Sequence, residues 1–348
     1  MKFSDVFEDQ TKYGTKIKTD EYKEKGKHAI VDQGKKLIAG YTDLEDGLYN
    51  NVPAIIFGDH TRVIKYIDVP FFLGADGTKI LKCKVENANY KYLYYALTRE
   101  KIPDTGYNRH FKWLKEIDIK YPSVDKQDNI VKKLDKLSYI IQKRQQELDK
   151  LDELVKARFV EMFGDVTTNE KKWNSSKLSE LCSLKSGGTP TRQHPEYFEG
   201  NIPWITTVSL GKFELTSDDA TEFITEEAIY NSATKIIPAN SLLFGIRVGV
   251  GKVSKNLVPM CTNQDIMAIT EINENNINLL FLKSILDAFS GFFNSQKRGA
   301  TIQGIKSETL KNIDIVIPPI ELQNQFADFV KQIDKSKVAV KNALDKIQ

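Results

Sequence analysis

Two glycine-rich segments carry side chains of the types that contact phosphates and base edges. Residues 245–252 place three glycines around Arg247 and Lys252. A backbone without Cβ atoms can come close to a phosphate, and arginine forks onto the O6 and N7 atoms of guanine. The same glycines also suit a tight turn between two strands. Both interpretations can hold together.

Residues 185–192 combine turn residues with two cations and three hydroxyl groups, which are the groups that position a phosphate. The first half of the chain has comparable segments at residues 13–18 and 107–110, and residues 296–303 match the second of these. For every candidate the alternative is a solvated surface position. The candidate contact residues are Lys16, Lys18, Arg62, Arg109, His110, Lys185, Thr189, Arg192, Arg247, Lys252, Arg298 and Gln303.

The sequence lacks the patterns of a self-sufficient enzyme. Residues 317–320 contain two prolines but neither the polar residue nor the aromatic residue of an amino-methyltransferase signature. Residues 249–253 lack the third glycine of a dinucleotide loop and the hydroxyl of a phosphate loop. The four histidines are scattered without metal-ligand spacing. We therefore predict no catalytic residue, no metal ligand and no cofactor.

The elements that must position these segments are duplicated. Residues 114–122 recur as residues 310–318, and with Gln127 matching Gln323 seven of fourteen aligned positions are identical at an offset of 196. Weaker matches extend upstream. Each copy ends in a proline followed by an amphipathic helix. These features indicate two copies of one domain.

The two amphipathic segments predict long helices. From Val124 to about Met162 apolar residues recur at alternating three- and four-residue spacing, and the segment after Pro318 repeats the pattern. We predict that the two helices pair as an antiparallel intramolecular coiled coil; the alternative is that each helix covers its own domain. The candidate partner-binding residues on the central helix are Leu134, Ile141, Leu148, Val155 and Phe159.

The domain bodies predict a mixed α/β (α+β) fold. Short strand-like runs at residues 241–244, 265–269 and 312–317 and helical patterns at residues 90–97 and 278–286 indicate mainly antiparallel sheets with helices. We predict two tandem domains of this kind at residues 1–122 and 164–318. The central spacer helix is predicted at residues 123–163 and the C-terminal helix at residues 319–348.

Charge and cysteine usage limit the function classes. Net charge is +3, and neither domain is strongly basic. If DNA is the partner, much of the neutralisation of its phosphates must come from elsewhere, such as other subunits. Three isolated cysteines and no CxxC pair indicate a reducing cytoplasm rather than a disulfide framework or zinc site. No apolar run reaches membrane-spanning length, so we predict no membrane association.

Several ordered motifs give the chain a family resemblance. They are residues 185–190, 200–205, 243–252, 262–265 and 313–319, together with residues 159–164 between the domains. With these motifs the sequence resembles the specificity subunit of Type I restriction–modification enzymes. Two departures are that the chain starts close to the first domain's opening strand and that its last helix stops at a position equivalent to Asp152.

The resemblance implies a function and a set of partners. It implies that each target recognition domain reads one half of a split site in double-stranded DNA and that the two helices set the spacing. It also implies that the subunit is not catalytic. Modification subunits, expected in two copies, would methylate adenine with S-adenosylmethionine, and a restriction subunit would translocate and cut DNA with ATP and magnesium.

Alternatives remain open at this point. The chain could be the specificity subunit of a related methyltransferase without restriction, or a scaffold that binds only protein. A stand-alone nuclease or methyltransferase is disfavoured by the missing motifs.

Overall fold

The computed structural model describes residues 1–74, 76–298 and 304–347. The chain divides into two compact units, unit 1 at Met1–Ile141 and unit 2 at Gln142–Gln348. A single helix of 40 residues, Val124–Phe163, runs through the point of division. Each unit therefore contains one part of this helix.

Unit 1 contains a four-stranded and a three-stranded sheet. Its helices are α1 (Phe3–Val6), α2 (Tyr90–Arg99), α3 (Phe111–Leu114) and the first part of α4 (Val124–Phe163). Its strands are β1 (Phe7–Asp9), β2 (His28–Val31), β3 (Gly40–Thr42), β4 (Ala54–Gly58), β5 (Ile64–Ile67), β6 (Phe71–Leu73) and β7 (Thr78–Cys83). The first sheet is antiparallel in the order β1-β7-β4-β5. The second has the order β3-β2-β6, with β2 and β6 parallel.

Unit 2 repeats this arrangement with additional strands. Its own helices are α5 (Leu178–Leu181), α6 (Glu226–Tyr230), α7 (Leu279–Ala288), α8 (Ser290–Ser295), α9 (Ser307–Lys311) and α10 (Ile320–Asp345). Its strands are β8 (Ser175–Lys177), β9 (Ser183–Ser186), β10 (Ile202–Ile205), β11 (Glu214–Leu215), β12 (Glu222–Ile224), β13 (Leu242–Gly245), β14 (Val253–Asn256), β15 (Cys261–Thr262), β16 (Ile266–Thr270) and β17 (Asp314–Val316). The sheet orders are β9-β16-β13-β14-β11, β12-β10-β15 and β17-β8.

The shared strand order is the structural counterpart of the sequence repeat. Strands β9, β16, β13 and β14 follow the order of β1, β7, β4 and β5, and β12-β10-β15 follows β3-β2-β6. In both small sheets the first pair is antiparallel and the second is parallel. An ion pair also recurs, from Lys2 to Asp118 in unit 1 and from Lys177 to Asp314 in unit 2.

The central strand of each larger sheet is buried on both faces. In β4, Ile55 and Phe57 pack in one hydrophobic cluster while Ile56 packs in another. In β13, Phe244 and Leu243 are divided between two clusters in the same way. Successive side chains of a strand point to opposite faces, so a continuous apolar run is what such a position requires. The predicted mixed fold is confirmed.

The second part of α4 pairs with α10 within unit 2. The rings of Phe159 and Phe326 lie 5.3 Å apart, and Lys337 donates a hydrogen bond to Asp152. The contact nearer the start of α4 is therefore nearer the end of α10, which is the predicted antiparallel arrangement. The ring of Phe163 also packs at a tilt against the ring of Phe281 of α7, with the ring centres 4.6 Å apart, so the helices cover their own domain as well.

None of the described helices combines the length and the apolar character needed to cross a bilayer.

Candidate nucleic-acid interface

A glycine pair positions the first candidate loop of unit 2. A Cβ atom on Gly187 would lie 2.2 Å from the carbonyl oxygen of Asn263, and one on Gly188 would lie 2.4 Å from the backbone nitrogen of Thr234. These glycines are therefore required for close packing. The next residue, Thr189, donates its hydroxyl hydrogen to Oε1 of Gln264. The loop after β9 is thus held against the loop that precedes β16.

The loop between β13 and β14 holds Arg247 on the same side. Gly249 and Gly251 adopt φ values of +82° and +85°, which form the predicted turn. The backbone N–H of Ile246 donates to the carbonyl oxygen of Asp265 at 2.9 Å, and Nη1 of Arg247 lies 3.3 Å from Oδ1 of Asp265. About half of the Arg247 side chain, 51%, stays exposed. One guanidinium nitrogen is anchored, and the other guanidinium donors make no hydrogen bond to residues 1–74, 76–298 or 304–347.

A fourth segment reaches the same place. Arg298 and Gly304 exchange backbone hydrogen bonds of 2.9 and 3.0 Å, and the N–H of Ile305 donates to the carbonyl oxygen of Ile246 at 2.8 Å. The exposed Arg298 therefore adjoins the Arg247 loop. The predicted contact residue Gln303 lies outside the described residues. We name the residues that these four segments bring together the unit 2 loop surface: Thr189, Arg247, Gln264, Asp265 and Arg298.

The equivalent loops of unit 1 also meet. Lys16 lies 2.5 Å from Oδ1 of Asp76, which is the sequence counterpart of Asp265. Gln33 donates to the carbonyl oxygen of Asp76 at 2.9 Å and accepts a hydrogen bond from the backbone N–H of His60 at 3.2 Å. The His60 ring stacks on Tyr107, with the ring centres 4.7 Å apart. We name Lys16, Gln33, His60, Asp76 and Tyr107 the unit 1 loop surface.

Electrostatics keep the unit 1 carboxylate charged. The hydrogen bond and charge of Lys16, and then the charge of Arg109, hold the pKa of Asp76 below its ordinary value. Each loop surface thus contains an aspartate that holds a cation, Lys16 in one unit and Arg247 in the other. An ammonium acts as a point charge, whereas a guanidinium is a planar fork with directed donors. The two aspartates occupy equivalent positions, but their cations come from different loops, Lys16 from the segment after β1 and Arg247 from the loop between β13 and β14. The two surfaces therefore offer different chemistry around equivalent aspartates.

Two predicted contacts of unit 1 hold the protein together instead. His110 has no exposed surface; its backbone N–H donates to the carbonyl oxygen of Asp59 at 2.8 Å, and its Nδ1 lies 3.0 Å from the same oxygen. Since a fully buried ring cannot reach a duplex, the prediction for His110 is wrong in this structure. The side chain of Arg62 pairs with Asp104 at 2.6 Å and so anchors the loop that follows α2. Lys18 is exposed.

Three predicted cations of unit 2 lie outside its loop surface. Arg192 makes a bidentate pair with Glu222 at 2.7 and 2.6 Å, which raises the pKa of Arg192 and lowers that of Glu222. Lys185 pairs with Glu271 at 2.7 Å. A nucleic acid would have to displace these carboxylates. Lys252 is exposed and has no ion-pair partner among the residues described.

The central-helix candidates divide by burial. Phe159 is only 5% exposed and its ring packs on Phe163 and Phe326, so the partner-binding prediction for Phe159 is wrong in this structure. Leu148 is buried, and Val155 packs against the hydrophobic cluster that contains Phe159. Leu134 and Ile141 are half-buried. The last two retain apolar surface that a partner could cover.

Sequence reasoning missed several members of the loop surfaces. Gln33 and His60 carry no local signal, because they come together with the other residues only through the fold. Tyr107 belongs to the candidate segment 107–110, although it was not itself named as a contact residue. Gln264 and Asp265 did carry one, since they belong to the Thr-Asn-Gln-Asp motif. Across residues 1–74, 76–298 and 304–347 no group of three His, Cys, Asp or Glu side chains could hold a metal ion.

Comparison with known proteins finds one family over nearly the whole chain. The family model described as "Type I restriction modification DNA specificity domain" matches residues 1–152 and again residues 170–347. The two matches cover both loop surfaces, helix α10 and helix α4 as far as Asp152.

Named relatives agree with this match. The Type I restriction enzyme EcoR124I/EcoR124II specificity subunit of Escherichia coli is 28% identical, with 94% of this chain and 84% of that protein covered. The MjaIX specificity subunit of Methanocaldococcus jannaschii is 28% identical over 49% of this chain and 40% of its own length.

Two solved structures share the fold. The S subunit of a Type I restriction-modification system from M. genitalium aligns with a TM-score of 0.60 at 16% identity, covering 100% of this chain and 92% of that chain. A chain from a structural study of complex assembly in the type I R-M system aligns with a TM-score of 0.55 at 15% identity, covering 99% and 90%.

Proposed function

Because the chain belongs to the Type I restriction modification DNA specificity domain family, we propose that each of its two loop surfaces reads one half of a split DNA sequence. The chain is a specificity subunit and is not itself catalytic. It acts in assembly with DNA and with other subunits of a Type I complex. The observation that carries the two-part reading is the repeated set of loops, which surround Asp76 in one unit and Asp265 in the other.

The proposed division of labour follows the repeat. Residues 1–122 and 164–318 form the two recognition domains, and residues 123–163 and 319–348 form the spacer helices. A shared scaffold with different loops suits a reader of two different half-sites, because loops carry specificity while strands and helices carry the fold.

The proposed partners supply the chemistry. Modification subunits, two per complex, methylate adenine with S-adenosylmethionine; restriction subunits use ATP and magnesium to translocate and cut the DNA. The complex works in the cytoplasm, in keeping with three free thiols. Leu134 and Ile141 offer apolar surface to these partners.

A selection experiment tests the function. The assembled methyltransferase complex is incubated with random duplex DNA, and the bound fraction is sequenced. We expect two short conserved blocks separated by a fixed number of unread base pairs. If the chain were a scaffold that binds only protein, the selection would yield no sequence motif. If it were a stand-alone enzyme, the purified chain would methylate or cleave DNA when supplied with S-adenosylmethionine, ATP and magnesium.

The isolated chain should bind DNA weakly. Net charge is only +3, and several cations of the candidate loops are already paired with carboxylates, so few counterions are released on binding. We expect a shallow salt dependence for the subunit alone and much tighter binding by the complex. Titrations at several salt concentrations measure both slopes. Tight, sequence-specific binding by the subunit alone would contradict this expectation.

Arg247 should contribute to one half-site only. In the complex, Arg247→Ala should cost on the order of 1–3 kcal/mol and relax the preference at one base position if the guanidinium forks onto a base. Lys252→Ala is the matched control, and it should weaken binding about equally for all sequences. If Arg247→Ala leaves the half-site preference unchanged, Arg247 does not read a base and has only a structural role in the turn.

A further inference from the structure

A buried glutamine stands in the first turn of each long helix. Gln127 of α4 and Gln323 of α10 occupy equivalent positions of the repeat, and neither has any exposed surface. A buried primary amide is costly unless its donors and acceptor are paired. The contacts of these two side chains therefore indicate what they do.

In unit 1 the glutamine links α4 to the start of α2. Nε2 of Gln127 donates to the carbonyl oxygen of Pro122 at 2.9 Å, and its Oε1 accepts from the backbone N–H of Asn89 at 3.2 Å. Asn89 caps α2 by accepting from the N–H of Tyr92 at 3.0 Å. Nδ2 of Asn89 donates to Asp128 at 2.7 Å, so the residue that caps α2 also binds α4.

Unit 2 repeats the link with other residues. Nε2 of Gln323 donates to the carbonyl oxygens of Pro318 at 2.8 Å and Asn276 at 3.0 Å, and its Oε1 accepts from the N–H of Asn278 at 2.9 Å. Asn278 caps α7 and donates from Nδ2 to Asn324 at 2.9 Å. We name each Gln–Asn pair with its bonds a helix clamp.

The chemistry of a helix clamp requires glutamine. Glutamate would present no donor to the proline carbonyl, and leucine would leave the N–H of the capping asparagine buried and unpaired. Hydrogen bonds are also directional, whereas apolar packing is not. A helix clamp therefore fixes the angle between a long helix and its domain. Apolar packing alone would restrict this angle less.

We propose that Gln127 and Gln323 are positioning residues that hold each recognition domain at a set angle to its spacer helix, and thereby make the complex selective for one spacer length. This inference rests on the proposed function. Neither Gln127 nor Gln323 is a sequence neighbour of any residue in the loop surfaces. Each helix clamp joins two helices rather than two loops. The bases read in each half-site should therefore not depend on them.

The test uses the assembled complex and duplex libraries in which the two half-sites are separated by the preferred spacer or by one base pair more or fewer. For Gln323→Leu we expect the preference for the correct spacer to fall about tenfold, the scale of one polar group left unpaired, here the N–H of Asn278. The bases selected in both half-sites should stay the same. Gln127→Leu should have the same effect from the other joint.

Two controls separate positioning from stability. Gln332→Leu makes the same substitution at an exposed position of α10 and should change nothing. Leu310→Ala destabilises the hydrophobic cluster of unit 2 without removing a hydrogen bond of the clamp, and at matched residual stability it should keep the spacer preference. Where Gln323→Leu does not fold, Gln323→Met and Asn278→Ser serve instead, because serine retains a helix cap but loses the amide bond to Asn324.

The outcomes are distinct. An unchanged spacer preference in all clamp variants would overturn the proposal, and so would an equal broadening in Leu310→Ala. A wild-type complex that selects no two-part sequence would overturn the proposed function, and the inference with it. Broadened spacing with intact half-sites, confined to clamp variants, supports the helix clamps as positioning devices.

Discussion

Exchange of residues 164–318 for the second recognition domain of another family member should change one half-site completely and leave the other intact. Each unit has its own hydrophobic clusters and its own loop surface. The loop contacts around Asp76 lie entirely within unit 1, so nothing in them depends on the exchanged residues. Selection from random duplex DNA by the assembled complex, or methylome sequencing of a host, measures both halves.

The design of the exchange must respect one aromatic cluster. Phe159 and Phe163 of α4 and Phe326 of α10 pack on Phe281 or on one another, so the incoming domain needs an aromatic residue at the position of Phe281. The reciprocal exchange of residues 1–122 is the matched control, and it should change only the other half-site. Simultaneous change of both halves in either chimera would show that the domains do not read independently.

Lengthening both spacer helices by one heptad should move the half-sites apart by about three base pairs. Helix α4 has 40 residues, which at 1.5 Å per residue is about 60 Å. A heptad adds about 10 Å and keeps the apolar stripe in register. At a rise of about 3.4 Å per base pair this corresponds to about three pairs. Insertions after Asp152 and Lys337, which face each other, lengthen the paired helices together.

The helical repeat of DNA sharpens this prediction. A shift of about three base pairs also turns the far half-site by roughly a third of a turn, so the one-heptad complex should bind less tightly. Three heptads add about 32 Å, close to the roughly 34 Å of one duplex turn, and should restore affinity at a spacer longer by about nine pairs. The control is a variant that carries substitutions at the same insertion points of α4 and α10 but no inserted residues. An unaltered spacer in a folded, active insertion variant would show that the helices do not set the distance.

Local patterns in the sequence determined the elements and their repetition. The three- and four-residue apolar spacing indicates the long helices because it places one apolar stripe on a helix, and that signal is complete within a few turns. The match of residues 114–122 with residues 310–318 indicates the duplicated scaffold without any structure. The turn at residues 245–252 was also predictable, since Gly249 and Gly251 are the residues that left-handed backbone favours.

Only the tertiary structure decided which side chains meet. Arg192 is a loop cation in the sequence, but the fold brings Glu222 to it from thirty residues away. His110 and Phe159 read as surface residues, yet packing buries both. Such pairings depend on contacts between residues that are distant in the sequence. The residues next to either partner do not reveal these contacts. The sequence could thus predict a duplicated domain and two long helices, while the meeting of loops around Asp76 and Asp265 follows from the order of the strands that carry them.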